Sequence, residues 1–245
     1  EEIETAEQYT RSHAAVLAPR LESTFRHADR ILVALSKNFP PAALAPATHE
    51  RYTKTISEEL RVRMLNFDEL AGLRIDSADG TVTYRSYGSP LIRDKSSGAA
   101  EASTYMLPAL TNKPDALAFS AVTTQADSGR EILVIARAIR DTEGKLIGRA
   151  VAEIDLAYFQ NLFQSIAVTS GAVVSLRRTD DKALVTRWPE MHQDINRRLE
   201  PEHPIARLIN SGKQAGTLDY AFQTDAVRRI TSFKVLTEYP FYFNV

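Results

Sequence analysis

The chain has 245 residues, a formal net charge of -1 from 30 Lys and Arg against 31 Asp and Glu, and no cysteine. Its proportions, 44% hydrophobic and 25% charged, exclude a disordered or fibrous chain. The near-zero charge argues against a sequence-independent nucleic-acid binder, whose affinity comes from neutralising phosphates. The missing cysteines exclude disulfides, thiolate zinc sites and thiol nucleophiles.

No apolar run reaches the ~18–20 residues of a membrane span. The chain opens Glu1-Glu2-Ile3-Glu4, with neither an initiator Met nor the basic and apolar regions of a signal peptide. It reads as a processed or excised piece of a longer protein.

Leu17, Leu21, Phe25, Ala28, Leu32, Leu35 and Phe39 recur at spacings of four and three, one apolar stripe of a helix. Pro40-Pro41 ends it. Pro19 places the helix start near Ala18, with Pro19 in the first turn, or else marks a kink. A second helix is expected over 48–66, where Tyr52, Ile56, Leu60 and Met64 share a face.

The period then changes. Leu70 to Asp76 and Thr81 to Tyr87 read as strands around Asp79-Gly80. Residues 88–103, rich in Gly, Ser and Ala, read as a loop, and Tyr105 to Leu110 as a short helical turn. Strands follow over 116–124, 130–140 and 145–155, with turns at Ser128-Gly129 and Glu143-Gly144. Such short links require antiparallel neighbours. Leu156 to Ile166 is a helix.

The theme repeats in smaller form. Strands are expected over 172–176, 183–187, 217–222, 229–236 and 241–245, with a short helix over 203–211. The mixture gives an α+β class.

Motifs of catalysis are missing. Gly212-Lys213 lacks the glycine of a phosphate loop, and His49-Glu50 lacks the second histidine of a zincin helix. No Gly-x-Ser-x-Gly elbow, calcium loop, cyclase signature or phosphoacceptor-histidine box occurs. The five histidines show no ligand spacing. The expectation is therefore no enzyme in this fragment, no metal and no cofactor.

The run from Ser128-Gly129 through the strand to Arg140, the turn Asp141-Thr142-Glu143-Gly144, the strand ending at Asp155 and the helix with Tyr158-Phe159 resembles the double Cache sensor family. Most similar are the modules that precede diguanylate cyclase or kinase domains in bacteria. Leu176-Arg177-Arg178 through Leu184 to Trp188-Pro189 is similar to the opening of the family's second module, and residues 14–39 to its signalling helix.

The resemblance implies a long N-terminal helix (1–47), a membrane-distal PAS-like ligand-binding module (48–155), a linker helix (156–170) and a membrane-proximal PAS-like module (171–245). It also implies the periplasmic sensor region of a membrane-anchored signalling protein. The partners implied are a small molecule, such as an amine, amino acid or carboxylate, and a second copy meeting it through the N-terminal helix, with no nucleic acid.

The family's strand-end Asp maps onto Asp155, which pairs with a ligand ammonium in amino-acid-binding members. An Asp before Leu156 is equally a helix cap. Glu153 shares its strand parity. Further ligand-binding candidates are Tyr84, Phe119 and Ser120. Of the family's segment before the third strand, Glu101 to Met106 retains Tyr105 and lacks the arginine that clamps a carboxylate. Arg85 or Arg137 then takes over that role, the ligand lacks a carboxylate, or the pocket is vestigial. The alternatives are a structural or protein-interaction module, and a hydrolase built on carboxylates such as Glu153 and Asp155.

Overall fold

The structure is a computed structural model, and it describes residues 2–37, 39–87, 91–92, 115–125, 127–167, 171–221 and 228–245. The chain divides into two compact units, Arg26–Tyr158, and Glu1–Phe25 together with Phe159–Val245.

Helix α1 runs Glu2–Lys37 with Pro19 inside it. Of the two readings of Pro19, a start near Ala18 is thus excluded, and the helix runs through the proline. Burial of its apolar stripe outweighs the cost of one interior proline, about 3 kcal/mol. Leu17, Leu21, Phe25, Ala28 and Leu32 are fully buried within the chain. Helix α2 (His49–Met64) buries Ile56 and Leu60 and packs on the two strands Leu70–Ser77 and Val82–Arg85 that follow it.

In the unit Arg26–Tyr158 the strands are β1 (Leu70–Ser77), β2 (Val82–Arg85), β3 (Leu91–Ile92), β4 (Ala118–Thr124), β5 (Glu131–Arg140) and β6 (Leu146–Asp155). They form one antiparallel sheet in the order β3-β2-β1-β6-β5-β4. The short β3 pairs Ile92 with Val82 inside what reads as a loop in the sequence. Two apolar residues suffice for an edge pairing and are too few to show a period.

The turns fall where expected. Gly144 sits at φ +81 and closes β5 to β6, while Asp141 Oδ1 accepts from Glu143 N and Lys145 N. The expected helical turn over Tyr105 to Leu110 lies outside the described residues.

The sheet has two unlike faces. On one, Leu73, Ile75, Tyr84, Leu133, Ile135, Ala150, Ala152 and Ile154 are buried. This is the face of the helices: Tyr84 donates to Ala43 O at 2.5 Å and stacks on His49 of α2. On the other face the register aligns Arg85, Arg74, Val151, Ala136 and Ala118 in one row.

In the second unit, helix α3 spans Leu156–Ile166, whose residues from Phe159 belong to it, and α4 spans Pro204–Asn210. The strands β7 (Val174–Arg178), β8 (Leu184–Trp188), β9 (Ala215–Ala221), β10 (Arg228–Val235) and β11 (Phe241–Asn244) form an antiparallel sheet. Its order is β8-β7-β11-β10-β9.

One face of this sheet meets α1 and α3. Phe25 stacks on Phe241 at 4.9 Å and tilts against Phe159 and Tyr239. Thr10 Oγ1 hydrogen-bonds Ser232 Oγ at 2.8 Å. The other face carries Phe233 and Tyr242 under Ile205 of α4. Both units therefore have the expected α+β architecture.

Phe25 is fully buried among three aromatic rings. Phe25→Ala is expected to destabilise the chain by about 3–5 kcal/mol, read as a lowered urea midpoint at unchanged slope.

Candidate functional site

The polar face of the six-stranded sheet holds the densest charge network among the described residues. Glu153 of β6 is 1% exposed. Its Oε1 pairs with Arg74 Nη1, and its Oε2 accepts from Tyr87 Oη at 2.8 Å and Gln125 Nε2 at 2.6 Å. Arg74 also donates from Nε to Asp76 Oδ2 at 3.0 Å. Asp76 accepts in addition from Arg149 Nε at 3.1 Å and Thr83 Oγ1 at 3.1 Å.

Strand geometry makes this possible. Arg74 and Asp76 alternate with the buried Leu73 and Ile75, and Arg149 and Glu153 with Ala150, Ala152 and Ile154. Register then sets Asp76 opposite Arg149 and Gly72 opposite Glu153.

Gly72 is required by this closeness. A Cβ there would lie 2.8 Å from Glu153 Oε2 and closer still to the Tyr87 ring.

The electrostatics follow from burial and pairing. Burial opposes the charge of Arg74, but Asp76 and Glu153 outweigh it and hold the guanidinium above its usual value. Burial likewise opposes the Asp76 carboxylate, and Arg74 with Arg149 hold it below its usual value. Tyr87 is pushed up to about 12 by burial, then by the Glu153 carboxylate.

Beside this network lies Arg85, 5% exposed. Its Nη1 pairs with Asp127 at 3.0 Å and its guanidinium lies 5.6 Å from the Tyr87 ring centroid. Its buried Nε has no hydrogen-bond partner among the described residues. Toward β5 and β4 the same face becomes aliphatic, with Val151, Val134, Ala136, Ile132 and Ala118. Charged donors and an apolar floor therefore share one face, an arrangement that suits small polar molecules.

The sequence candidates divide between the faces. Glu153 lies at the centre of the network. Asp155 shares its face at the strand end, where Oδ1 accepts from Ala157 N at 3.0 Å and caps α3, while Oδ2 pairs with Arg130 at 3.0 Å. Ser120 Oγ accepts from Val134 N at 3.0 Å. Tyr84 and Phe119 lie on the helix face, Phe119 opposite Ile135. Arg137 lies there too and holds Asp29 of α1 through Nε and Nη2. Tyr105 lies outside the described residues.

The residues missed by sequence reasoning are Arg74, Asp76, Tyr87, Gln125 and Arg149. The signal was present in β1, where charges alternate with Leu73 and Ile75 as they do in β6. Among the described residues no His, Asp and Glu group is placed to hold a metal ion, and no helix is long and apolar enough to cross a membrane.

Against known proteins, no family model and no curated sequence matches the chain. Solved structures do. The extracellular domain assigned to a histidine kinase, rpHK1S-Z16, superposes with a TM-score of 0.76 at 21% identity, covering 98% of this chain and 93% of that one. This chain and that domain share one fold over almost their whole lengths. The ligand-binding domain of the Campylobacter jejuni chemoreceptor Tlp3, solved with L-norvaline, gives 0.63 at 15% identity over 99% of this chain and 90% of that one. The periplasmic sensory domain of the Campylobacter jejuni chemoreceptor Tlp1 gives 0.68 at 10% identity over 98% and 92%. This sensory-domain fold matches the double Cache resemblance of the sequence. At such identities the likeness establishes the fold alone.

The Asp76 carboxyl has a lowered pKa, so its contribution to stability is complete above its ordinary value of 3.8 and is lost as the pH falls below it. Asp76→Asn is expected to cost about 3–5 kcal/mol at neutral pH and to flatten the acid limb of the stability profile. Urea unfolding of both proteins from pH 7 downward measures this. Gly72→Ala is expected to cost about 1–3 kcal/mol through overpacking, seen as a lower melting temperature.

Proposed function

We propose that the chain is the extracytoplasmic sensor region of a membrane-anchored signalling protein. Its unit Arg26–Tyr158 binds a small molecule on the polar face of the six-stranded sheet. The parent protein belongs to the class of histidine kinases, chemoreceptors or diguanylate cyclases. The observation that carries this reading is Arg85, a buried guanidinium with an unpartnered Nε beside an aliphatic floor. The sensory-domain fold supports it.

The ligand has one polar group for Arg85 and a compact aliphatic part for Val134 and Val151. Amino acids, short amines and carboxylates meet this description. Ligand binding shifts a signalling equilibrium only if the two states bind unequally. Helix α1 is the transmitting element in this proposal, since its residues contribute to both units. Its apolar stripe is consumed inside the chain, so pairing with a second copy falls to its outer face, where Val16 is 52% exposed.

A second reading has its own observation. The Glu153 carboxylate already has three partners, as expected for a closed structural network in a module that docks a protein. Thermal unfolding against amino acids, amines, carboxylates and purines separates the two.

A ligand at ~100 times its dissociation constant adds about 2.7 kcal/mol, a shift of several degrees. The expected result is a shift in the wild type that Arg85→Gln abolishes. Loss of the shift in Asp155→Ala would add Asp155 to the ligand contacts. Its retention there would leave Asp155 as the cap of α3. No shift with any compound would favour the protein-docking module.

A further inference from the structure

The second unit carries two half-buried arginines that form no salt bridge with a described carboxylate. Arg177 of β7 and Tyr242 of β11 are partners in the register, and Arg187 of β8 lies opposite Ser175, two residues from Arg177. Alternation puts Tyr242, Ser175 and Arg187 on one face with Phe233 and α4.

Arg177 and Arg187 are half-buried and Tyr242 is fully buried. Arg177 Nη1 donates only to the carbonyls of Lys182 at 2.9 Å and Arg197 at 3.2 Å. Arg187 Nη1 reaches the Met191 thioether at 3.0 Å, and its Nε, although buried, has no partner among the described residues. The Tyr242 hydroxyl is also buried without a partner among the described residues.

Neither arginine forms a salt bridge with a described carboxylate. The acid nearest in effect to both is Asp194, whose Oδ1 pairs with Arg197 at 3.2 Å.

Burying a charge or a hydroxyl without a partner costs free energy. Here the Tyr242 hydroxyl and the Nε of Arg187 are left without hydrogen bonds among the described residues in one strand-paired cluster. In the first unit, by contrast, Arg74 and Arg149 meet Asp76 and Glu153. The missing partner is one that accepts from several donors and carries negative charge.

We propose that Arg177, Arg187 and Tyr242 form a second ligand site in the unit Phe159–Val245, and that it takes a small oxyanion, a carboxylate or a phosphate. Tyr220 and His203 border it. His203 Nδ1 accepts from Ile205 N, so in the neutral ring Nε2 carries the proton and donates to Tyr220 Oη at 3.1 Å. The electrostatics agree. Burial lowers the pKa of Arg177 and the like charge of Arg187 lowers it further, whereas an anion would raise both. This site is independent of the one proposed on the six-stranded sheet.

The test is thermal unfolding of the full chain, at constant ionic strength set with chloride, in acetate, propionate or inorganic phosphate. A rise in melting temperature with one of these anions is expected, and the class that produces it distinguishes carboxylate from phosphate. Arg187→Gln is expected to abolish the rise. Tyr242→Phe removes only an oxygen that makes no hydrogen bond, so it folds, and it is expected to weaken apparent affinity about tenfold. Arg85→Gln is expected to leave intact the part of the rise that Arg187→Gln removes, which separates this site from the first. No rise with any anion, or an equal rise in Arg187→Gln and Tyr242→Phe, would overturn the proposal.

Discussion

Successive side chains of a strand point to opposite sides of its sheet, and this constraint organises everything else in the chain. Each sheet needs one face apolar enough to bury against helices. The alternate residues are then free to be polar. In the six-stranded sheet Leu73, Ile75 and Ile154 fill the helix face, which leaves Arg74, Asp76 and Glu153 together on the other. In the five-stranded sheet Phe241 and Phe243 are buried on the face that carries Phe25, and Tyr242 points the other way. A one-residue slip in register would exchange the two sets.

The polar faces differ in how they treat charge. Around Glu153 each acid has basic or hydroxyl partners, and each of Arg74 and Arg149 has an acid. Such a network holds strands β1 and β6 in register and leaves Arg85 at its edge with donor capacity to spare. Around Tyr242 the arginines use backbone carbonyls and a thioether instead. A paired network is stable without a ligand. An unpaired one gains from an added anion, and that difference in free energy is what a sensor requires.

Much of the fold was legible in the sequence, because period and punctuation are local properties. The strands of the hairpins, the helix Leu156–Ile166 and the turns at Asp79-Gly80 and Glu143-Gly144 fall where expected. The extent of α1 was not legible. Pro19 signals a boundary locally, and only the burial of Leu17, Leu21 and Phe25 keeps the helix running through it. The strand β3 was missed because Leu91-Ile92 is too short to display alternation.

The candidate site was legible in part. Glu153 was named from strand parity within β6, but its partners Arg74, Tyr87 and Gln125 come from other segments. Tyr84, Phe119 and Arg137 were grouped with it by residue type and lie on the helix face. The sequence by itself determined the α+β class, most element boundaries and the lack of catalytic motifs, all of which depend on neighbours a few residues apart. The tertiary structure decided which charges meet and which stay unpaired. Those depend on register between strands distant in sequence, where Gly72 reaches Glu153 and Arg177 reaches Tyr242.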